Sequence, residues 1–301
     1  MFRDDEGVSE HRERREEDNR RENDQEDVHD SPIIPQKRLH PVTRKTRSPE
    51  RRLLIRRIRI TGWTALSFLL ATIVGFLAWA HTVYAADRAA TIEVFRSSQV
   101  EVVDRDRAII ITPASEETAL ADTVLVFYPG GRVDPYAYLP PLAHTAEHMG
   151  LRVVIAKAPL NLAIADSREI EQLALLAGPH TTIATGGHSL GGVRACLQAT
   201  SPLVSHLVLL ASYCANDLTS RGDLAVLTVL GSLDGLTDAA QVAEAGALLP
   251  GEPQTMTIRG ANHASFGAYG PQSGDGPSKT SPERMHEQLT EILGTFLSQS
   301  G

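Results

Sequence analysis

Short apolar stretches recur along the last two thirds of the chain. Each is rich in valine, isoleucine and leucine and is followed by a longer amphipathic or polar stretch, which is typical of strands alternating with helices. Because their apolar character is nearly continuous, they predict a parallel sheet covered on both faces. The stretches are 108–112, 123–128, 152–156, 181–185, 206–212, 224–230 and 254–258.

Helix start signals lie between these strands. Asp134, followed by proline, predicts the beginning of a helix over 135–149. Asp238 with Gln241 forms the pattern of a capping box and predicts a helix over 238–249.

The last helix is predicted to begin at Ser281 and Pro282. Its apolar residues recur at helical spacing and share one face. They are Met285, Leu289, Ile292, Leu293 and Phe296. Two segments within 92–103 suggest a leading antiparallel hairpin. This order predicts an α/β fold with a doubly wound, mostly parallel sheet.

Residues 61–86 contain no charged side chain. Their central part, 63–84, has about the ~20 residues that a helix needs to cross a bilayer. Trp63, Trp79 and Tyr84 stand near its ends, where interfacial aromatic residues are expected. The sequence therefore predicts one transmembrane helix, a signal anchor over 61–84.

The charges before this segment predict its orientation. Residues 31–60 carry ten lysines and arginines against Glu50 as their one acid. The positive-inside rule then puts the N-terminus in the cytoplasm and residues 87–301 outside a single-pass cell membrane. A cleaved signal peptide, ending near Ala85, is the alternative, but a preceding region of some sixty residues disfavours it. A buried core helix would not need arginines beside it.

The rest of the composition narrows the possible functions. Residues 1–60 are densely charged and poor in aromatic residues, so we expect a disordered cytoplasmic tail. The chain beyond the anchor is mildly acidic and carries no electrostatic footprint for nucleic acid. Cys196 and Cys214 are predicted to be buried free thiols, a disulfide being the less favoured alternative.

A nucleophile motif follows the predicted strand 181–185. The sequence Gly187-His188-Ser189-Leu190-Gly191 is Gly-x-Ser-x-Gly between a strand and a helix. Such a turn raises the Ser189 hydroxyl above the sheet, and glycine is needed on both sides because side chains there would collide. The alternative is a glycine-rich turn without chemistry.

A serine hydroxyl needs a base to become nucleophilic. Asp234 and His263 each follow a predicted strand, in the chain order serine, acid, histidine. The sequence therefore predicts that His263 is the general base and that Asp234 orients it. Three other acids are less well placed relative to their elements. They are Asp217, Asp223 and Asp238.

Acyl transfer also needs donors for the developing oxyanion. One is expected to be the N–H of Leu190, at a helix N-terminus. The other is expected from the loop after strand 123–128, where Gly131 is the first choice and Arg132 the near alternative. Pro129-Gly130-Gly131 could also be a plain turn.

Four of these segments together resemble a known family. They are 127–142, 186–192, 231–236 and 260–276, and they are similar to the bacterial α/β-hydrolase fold-5 group related to the dienelactone hydrolases. The resemblance spans about residues 90–298. It implies an α/β-hydrolase fold, hydrolase chemistry and the triad Ser189, Asp234 and His263, but no substrate. Dienelactone hydrolases use a cysteine nucleophile, and this chain has serine.

A second motif suggests a metal site instead of a serine nucleophile. His144-x-x-Glu147-His148 matches an inverted zinc-peptidase signature, which predicts activity lost to chelators. No third ligand with supporting context follows, so two surface histidines on a flanking helix are the preferred interpretation and no metal is expected.

The stretch between 212 and 224 is too short for a large lid, so we expect an open site. Its predicted neighbours are Asn161, Leu162, Tyr213, Cys214 and Phe266.

We therefore expect a membrane-anchored serine hydrolase that cleaves a small carboxylic ester or thioester through an acyl-enzyme on Ser189. Its expected partners are a small ester-like molecule and the membrane, with no cofactor. The alternative is a catalytically idle sensor or scaffold that binds a ligand in the same pocket, which the anchor and the charged tail would suit.

Overall fold

A single eight-stranded sheet organises the molecule. The computed structural model describes residues 48–115 and 120–299, so most of the predicted tail lies outside the described residues. The strand order is β1-β2-β4-β3-β5-β6-β7-β8, and only the pairs β1–β2 and β2–β4 are antiparallel. The strands are β1 (Val100–Arg105), β2 (Ala108–Pro113), β3 (Thr123–Tyr128), β4 (Arg152–Ala156), β5 (Thr182–His188), β6 (Val204–Leu210), β7 (Ala225–Gly231) and β8 (Gln254–Ile258).

Seven α-helices accompany the sheet in the described part of the chain. They are α1 (Pro49–His81), α2 (Arg88–Arg96), α3 (Leu139–Met149), α4 (Ile170–Ala174), α5 (Leu190–Gln198), α6 (Ala239–Ala245) and α7 (Pro282–Leu297). All seven strands predicted from the sequence are present, and the doubly wound, mostly parallel sheet is confirmed. Residues 211–224 contain no helix or strand, in keeping with a site without a large lid.

The core has two apolar layers because successive residues of a strand point to opposite faces. Ile109, Leu125 and Phe127 pack in one layer, with α3 and α7. Val124 and Val126 pack in the other, with α4 and α5. Both faces of the central strands are thus covered, as nearly continuous apolar strands require.

The predicted hairpin within 92–103 is wrong in its first half. Residues 92–95 lie in α2, where Asp87 accepts a hydrogen bond from Ala90 N–H and so caps the helix. The hairpin is formed instead by β1 with β2. A four-residue apolar run fits a helix or a strand equally well, and here the cap decides.

The other helix starts lie where their caps predict them. A 3-10 turn, Pro135–Tyr138, precedes α3, and Asp134 accepts from Tyr136 N–H. Asp238 accepts from Ala240 N–H at the start of α6, which is shorter than the predicted 238–249. Ser281 accepts from Arg284 N–H at the start of α7.

The prediction of two free thiols is wrong, because Cys196 and Cys214 form a disulfide. Cys196 lies in α5 and Cys214 in the segment after β6. The packing of α5 over the sheet brings their Cα atoms to 5.5 Å. Neither element carries a local signal for this proximity, so the sequence could not reveal the bond.

Helix α1 is the only described helix long and apolar enough to cross a membrane. It begins at Pro49, so the last twelve residues of the predicted disordered tail are helical, and it ends at His81, before the predicted end of the span. By its internal contacts the chain divides after Ile60 into two units. The sheet and residues 61–81 of α1 belong to the second unit.

Candidate active site

The candidate site lies at one edge of the sheet. The strands from β3 to β8 are parallel, so the loops that follow them meet at their carboxyl ends. The glycine loop after β3, Ser189 after β5, Asp234 after β7 and His263 after β8 all lie at this edge. This is the edge at which ligands of open α/β sheets bind.

Ser189 occupies a strained turn between β5 and α5. Its φ of 53° and ψ of −123° lie in a region that non-glycine residues rarely adopt. Its N–H donates to Leu210 O at 3.0 Å, and its carbonyl accepts from Gly192 N–H and from the Ser212 hydroxyl. The surrounding hydrogen bonds thus hold the turn, as a strained nucleophile position requires.

The two motif glycines are required by close backbone contacts. A β-carbon on Gly187 would lie 2.3 Å from the carbonyl carbon of Gly191, and one on Gly191 would lie 2.0 Å from Tyr128 O. Backbone atoms cannot yield at such distances. Any larger residue at either position would force the turn open.

Asp234 and His263 form a buried pair. His263 Nδ1 lies 3.0 Å from Asp234 Oδ2 and 3.1 Å from Oδ1, and the two side chains are 2% and 3% exposed. Because a carboxylate only accepts, Nδ1 donates and Nε2 keeps its lone pair. A neutral His263 therefore presents a base at Nε2.

The environment of Asp234 keeps it ionised. Burial raises the pKa of this carboxyl, but the hydrogen bond from His263 and the N–H groups of Thr237 and Leu236 outweigh burial and leave the pKa below its ordinary value. Both N–H groups donate to Oδ1 at 2.8 Å. A fixed negative charge therefore faces the imidazole ring.

Ser189 connects to this pair through the end of β6. Leu210 accepts from Ser189 N–H, and the next residue, Ala211, accepts from the Thr237 hydroxyl at 3.0 Å. That hydroxyl lies 3.2 Å from His263 Nδ1. The predicted nucleophile, acid and base thus stand at one sheet edge, and the end of β6 contacts both the Ser189 N–H and the Thr237 hydroxyl beside His263.

The alternative acids lie in other arrangements. Asp217 accepts from Thr219, and Asp223 pairs with Arg221. Asp238 caps α6. Of the candidates weighed from the sequence, Asp234 is the one that contacts His263.

The glycine loop after β3 packs against Leu190. A β-carbon on Gly131 would lie 3.1 Å from Leu190 Cδ2. Gly130 N–H donates to a tyrosine hydroxyl, and Arg132 N–H donates to Asn161 O at 2.8 Å. Within the described chain, Gly131 N–H has no such partner. The loop therefore leaves Gly131 available as a donor and engages Arg132, the near alternative.

His188, which the sequence analysis did not assign, is buried beside the pair. Its Nε2 lies 3.1 Å from His263 O and must donate, so Nδ1 accepts from the Tyr138 hydroxyl at 2.8 Å. That hydroxyl accepts from Gly130 N–H at 2.9 Å. Burial, and secondly the neighbouring His263, hold the pKa of His188 well below its ordinary value, so the ring is neutral. A histidine at the end of an otherwise small and apolar strand is the one local signal of this role.

Asp275 is a second residue that the sequence analysis did not assign. Its carboxylate accepts from Gly235 N–H at 3.1 Å and from Ala264 N–H at 2.9 Å. These are the residues that follow Asp234 and His263, so Asp275 fastens the acid loop to the histidine loop. No spacing rule distinguishes it among the polar residues of its segment.

The predicted pocket neighbours fall into two groups. Phe266 is buried and stacks on His188, and Cys214 is buried in the disulfide. Leu162 and Tyr213 are partly exposed, and Asn161 accepts from the glycine loop.

The histidines of the zinc-peptidase motif lie on α3, away from this edge. His144 Nδ1 pairs with the Thr290 hydroxyl, and His148 Nδ1 with His144 O, both at 2.8 Å. No group of three histidine, cysteine or acidic side chains among the described residues could hold a metal ion.

A family comparison identifies the kind of protein to which this chain is similar. The model of an alpha/beta hydrolase family matches residues 124–287, which is more than half of the chain. No curated protein matches the chain.

Several solved structures align with the chain at low sequence identity. A predicted CIB-like hydrolase from Thermoplasma acidophilum is 16% identical, with 65% of this chain and 98% of that chain covered and a TM-score of 0.45. A thermostable esterase from Pseudomonas putida ECU1011 is 15% identical, with 69% and 87% covered and a TM-score of 0.47. Est1E from Butyrivibrio proteoclasticus is 13% identical, with 67% and 100% covered and a TM-score of 0.44.

Proposed function

The chain belongs to the alpha/beta hydrolase family, and from that membership and its site we propose that it is a serine hydrolase acting on carboxylic esters or thioesters. The observation that carries the proposal is the contact of His263 with a buried, ionised Asp234 at the edge where Ser189 sits on its strained turn. A ligand-binding sensor has no need of this arrangement.

In the proposed reaction, His263 Nε2 takes the proton of Ser189 as Oγ attacks the ester carbonyl. The N–H groups of Leu190 and Gly131 donate to the oxyanion that forms. The protonated imidazole is stabilised by Asp234 and then gives its proton to the leaving alcohol or thiol. Water, activated by the same ring, releases the acid from Ser189.

We further propose that α1 anchors the protein in a membrane, with the N-terminus in the cytoplasm and the hydrolase domain outside. The support is the length and apolar character of α1 together with the arginines that precede residue 61. The disulfide also supports this topology, because such bonds persist in oxidising compartments outside the cytosol.

The nucleophile is tested by labelling with a fluorophosphonate. We expect the full-length protein in detergent to be labelled, Ser189→Ala to lose the label, and Ser220→Ala, at an exposed serine, to keep it. Label that persists in Ser189→Ala would reject the assignment.

Turnover distinguishes the enzyme from the sensor. A series of p-nitrophenyl esters of different chain lengths should be hydrolysed by the wild type and not by His263→Ala. Tight binding of esters without turnover in the wild type would favour the sensor instead.

A further inference from the structure

The segment that follows α1 is bonded to the loops of the candidate site. Tyr84 pairs with the glycine loop in a parallel bridge, its N–H donating to Arg132 O at 2.7 Å and its carbonyl accepting from Asp134 N–H at 3.0 Å. Two residues later, Ala86 bridges to Tyr269, in the loop that follows His263. The two loops proposed to supply the oxyanion donor and the base are thus tied to the end of α1.

The side chain of Arg132 contacts the apolar helix α1 itself. Its guanidinium carbon lies 4.7 Å from the centre of the Trp79 ring and 5.6 Å from that of Tyr84. Its Nε donates to Thr82 O at 2.9 Å. Gly131 is the next residue in the chain, so the proposed oxyanion donor stands one peptide away from a side chain packed on the last turn of α1.

These contacts fix the height of the site above a bilayer. Tryptophan and tyrosine at the end of a span lie at the level of the lipid headgroups, and Trp79 and Tyr84 are the two rings that Arg132 contacts. Because Tyr84 and Ala86 are already paired with the domain, the short link after His81 cannot lift the site away. With α1 in a bilayer, as proposed above, the glycine loop and the loop that follows His263 would stand at the membrane surface.

The same edge carries exposed apolar side chains. Ile164, in a 3-10 turn after β4, is 49% exposed, and Leu236, two residues after Asp234, is 40% exposed. Both follow the carboxyl ends of strands. Leu236 lines a cavity together with Asp234, so it offers apolar surface beside the proposed site for the acyl chain of a lipid.

Building on the proposed function, we propose that the substrate is a carboxylic ester of a lipid in the bilayer, cleaved at the membrane surface. Ester groups of membrane lipids lie between the headgroups and the acyl chains, next to the depth that Trp79 marks. The fatty acyl group passes to Ser189 Oγ, and the lipid alcohol leaves with the proton that His263 took from Ser189. Water then releases the fatty acid.

Two spacers inserted between His81 and Thr82 of the full-length protein test this. A helical spacer of about 20 residues, built from Glu-Ala-Ala-Ala-Lys repeats, holds the domain about 30 Å from the bilayer. A Gly-Ser spacer of equal length breaks the same Trp79–Arg132 contact but lets the domain return to the surface.

Each protein is reconstituted in phosphatidylcholine vesicles that contain a fluorogenic diacyl phospholipid, and p-nitrophenyl butyrate serves as the soluble ester. We expect the helical spacer to lower hydrolysis of the vesicle lipid by about tenfold or more, and the flexible spacer to lower it much less. Both variants should hydrolyse the soluble ester as the wild type does. Equal lipid hydrolysis by the wild type and the helical variant would overturn the proposal.

The outcome also distinguishes this inference from the proposed function on which it rests. A wild type that hydrolyses the butyrate but not the vesicle lipid overturns the lipid substrate alone. A wild type that hydrolyses neither and takes no fluorophosphonate overturns both.

A measurement on the wild type alone avoids the risk that a spacer variant fails to fold. Ser189 is labelled with a dye-bearing fluorophosphonate, and nitroxides on the lipid headgroups are used as quenchers. Strong quenching supports a site at the bilayer surface, and a dye that headgroup nitroxides leave unquenched would overturn it.

Discussion

Two pairs of histidines lie with their rings in contact, one at the sheet edge and one on the flank of the domain. The ring centres of His188 and His263 are 4.5 Å apart, and those of His144 and His148 are 4.1 Å apart. Both pairs find hydrogen-bond partners, and both come from sequence motifs associated with hydrolases.

The partners separate the two pairs. His263 faces the ionised carboxylate of Asp234, whereas His144 and His148 pair with a neutral hydroxyl and a backbone carbonyl. A carboxylate stabilises the imidazolium that forms when a base takes a proton, and neutral partners do so far less. Proximity of histidines thus indicates little until the partner and the position on the sheet are known.

Replacing the carboxylate should give the largest effect. We expect Asp234→Asn to lower kcat for a soluble ester by about 10⁴-fold, because the amide no longer enforces the tautomer with a free Nε2. His148→Ala on the flank should leave kcat within about twofold, since exposed positions away from a site tolerate change. Retention of more than a tenth of wild-type kcat in Asp234→Asn would remove the distinction between the pairs.

The buried Tyr138 hydroxyl, which hydrogen-bonds Gly130 and His188 behind the sheet-edge pair, should matter for stability. We expect its removal to have a smaller effect than the loss of the carboxylate. Tyr138→Phe leaves Gly130 N–H and His188 Nδ1 without their buried partner, which should lower the free energy of unfolding by about 1–3 kcal/mol. Tyr136→Phe is the matched control on the same turn. Its hydroxyl bonds the more exposed Asp104 and Lys157, so we expect a loss of about 1 kcal/mol or less.

Both variants are measured by denaturant unfolding of the full-length protein in detergent. Equal losses of unfolding free energy in the two variants would mean that the Tyr138 hydroxyl is no more important to the fold than a surface contact.

These cases show what the sequence could predict. The Gly-x-Ser-x-Gly motif predicts Ser189, and Asp234 and His263 are predicted because each follows an apolar strand and strand ends of a parallel sheet share an edge. The glycines around Ser189 carry their own local explanation, since two backbone segments meet there. Features defined by a strand and its next few residues are therefore open to prediction.

What the sequence could not predict depends on contacts between distant segments. The Cys196–Cys214 bond depends on how α5 packs, and the role of Asp275 depends on two loops meeting. Tyr138 and His188 lie fifty residues apart. The helix at 92–95 was missed for a different reason, because its short apolar run satisfies two periodicities.

The smallest expected effect comes from replacing His286 on α7, at the flank of the domain. Burial, and secondly the neighbouring His144 on α3, lower the pKa of His286 to about 4, against a weaker opposing influence from Glu283. An unfolded histidine titrates near about 6.5, so between these values the unfolded state binds more protons and stability falls as the pH is lowered. The lowered pKa of Asp234 acts in a more acidic range, below about 3.9, where its contribution is lost as the carboxylate is protonated.

We therefore expect His286→Gln to lose less stability than the wild type between pH 7 and pH 4.5, measured as urea midpoints in detergent. The other buried histidines still titrate, so the pH dependence should be reduced rather than abolished. His180→Gln, in the loop before β5, should behave as the wild type. An unchanged midpoint shift in His286→Gln would show that His286 titrates alike in both states.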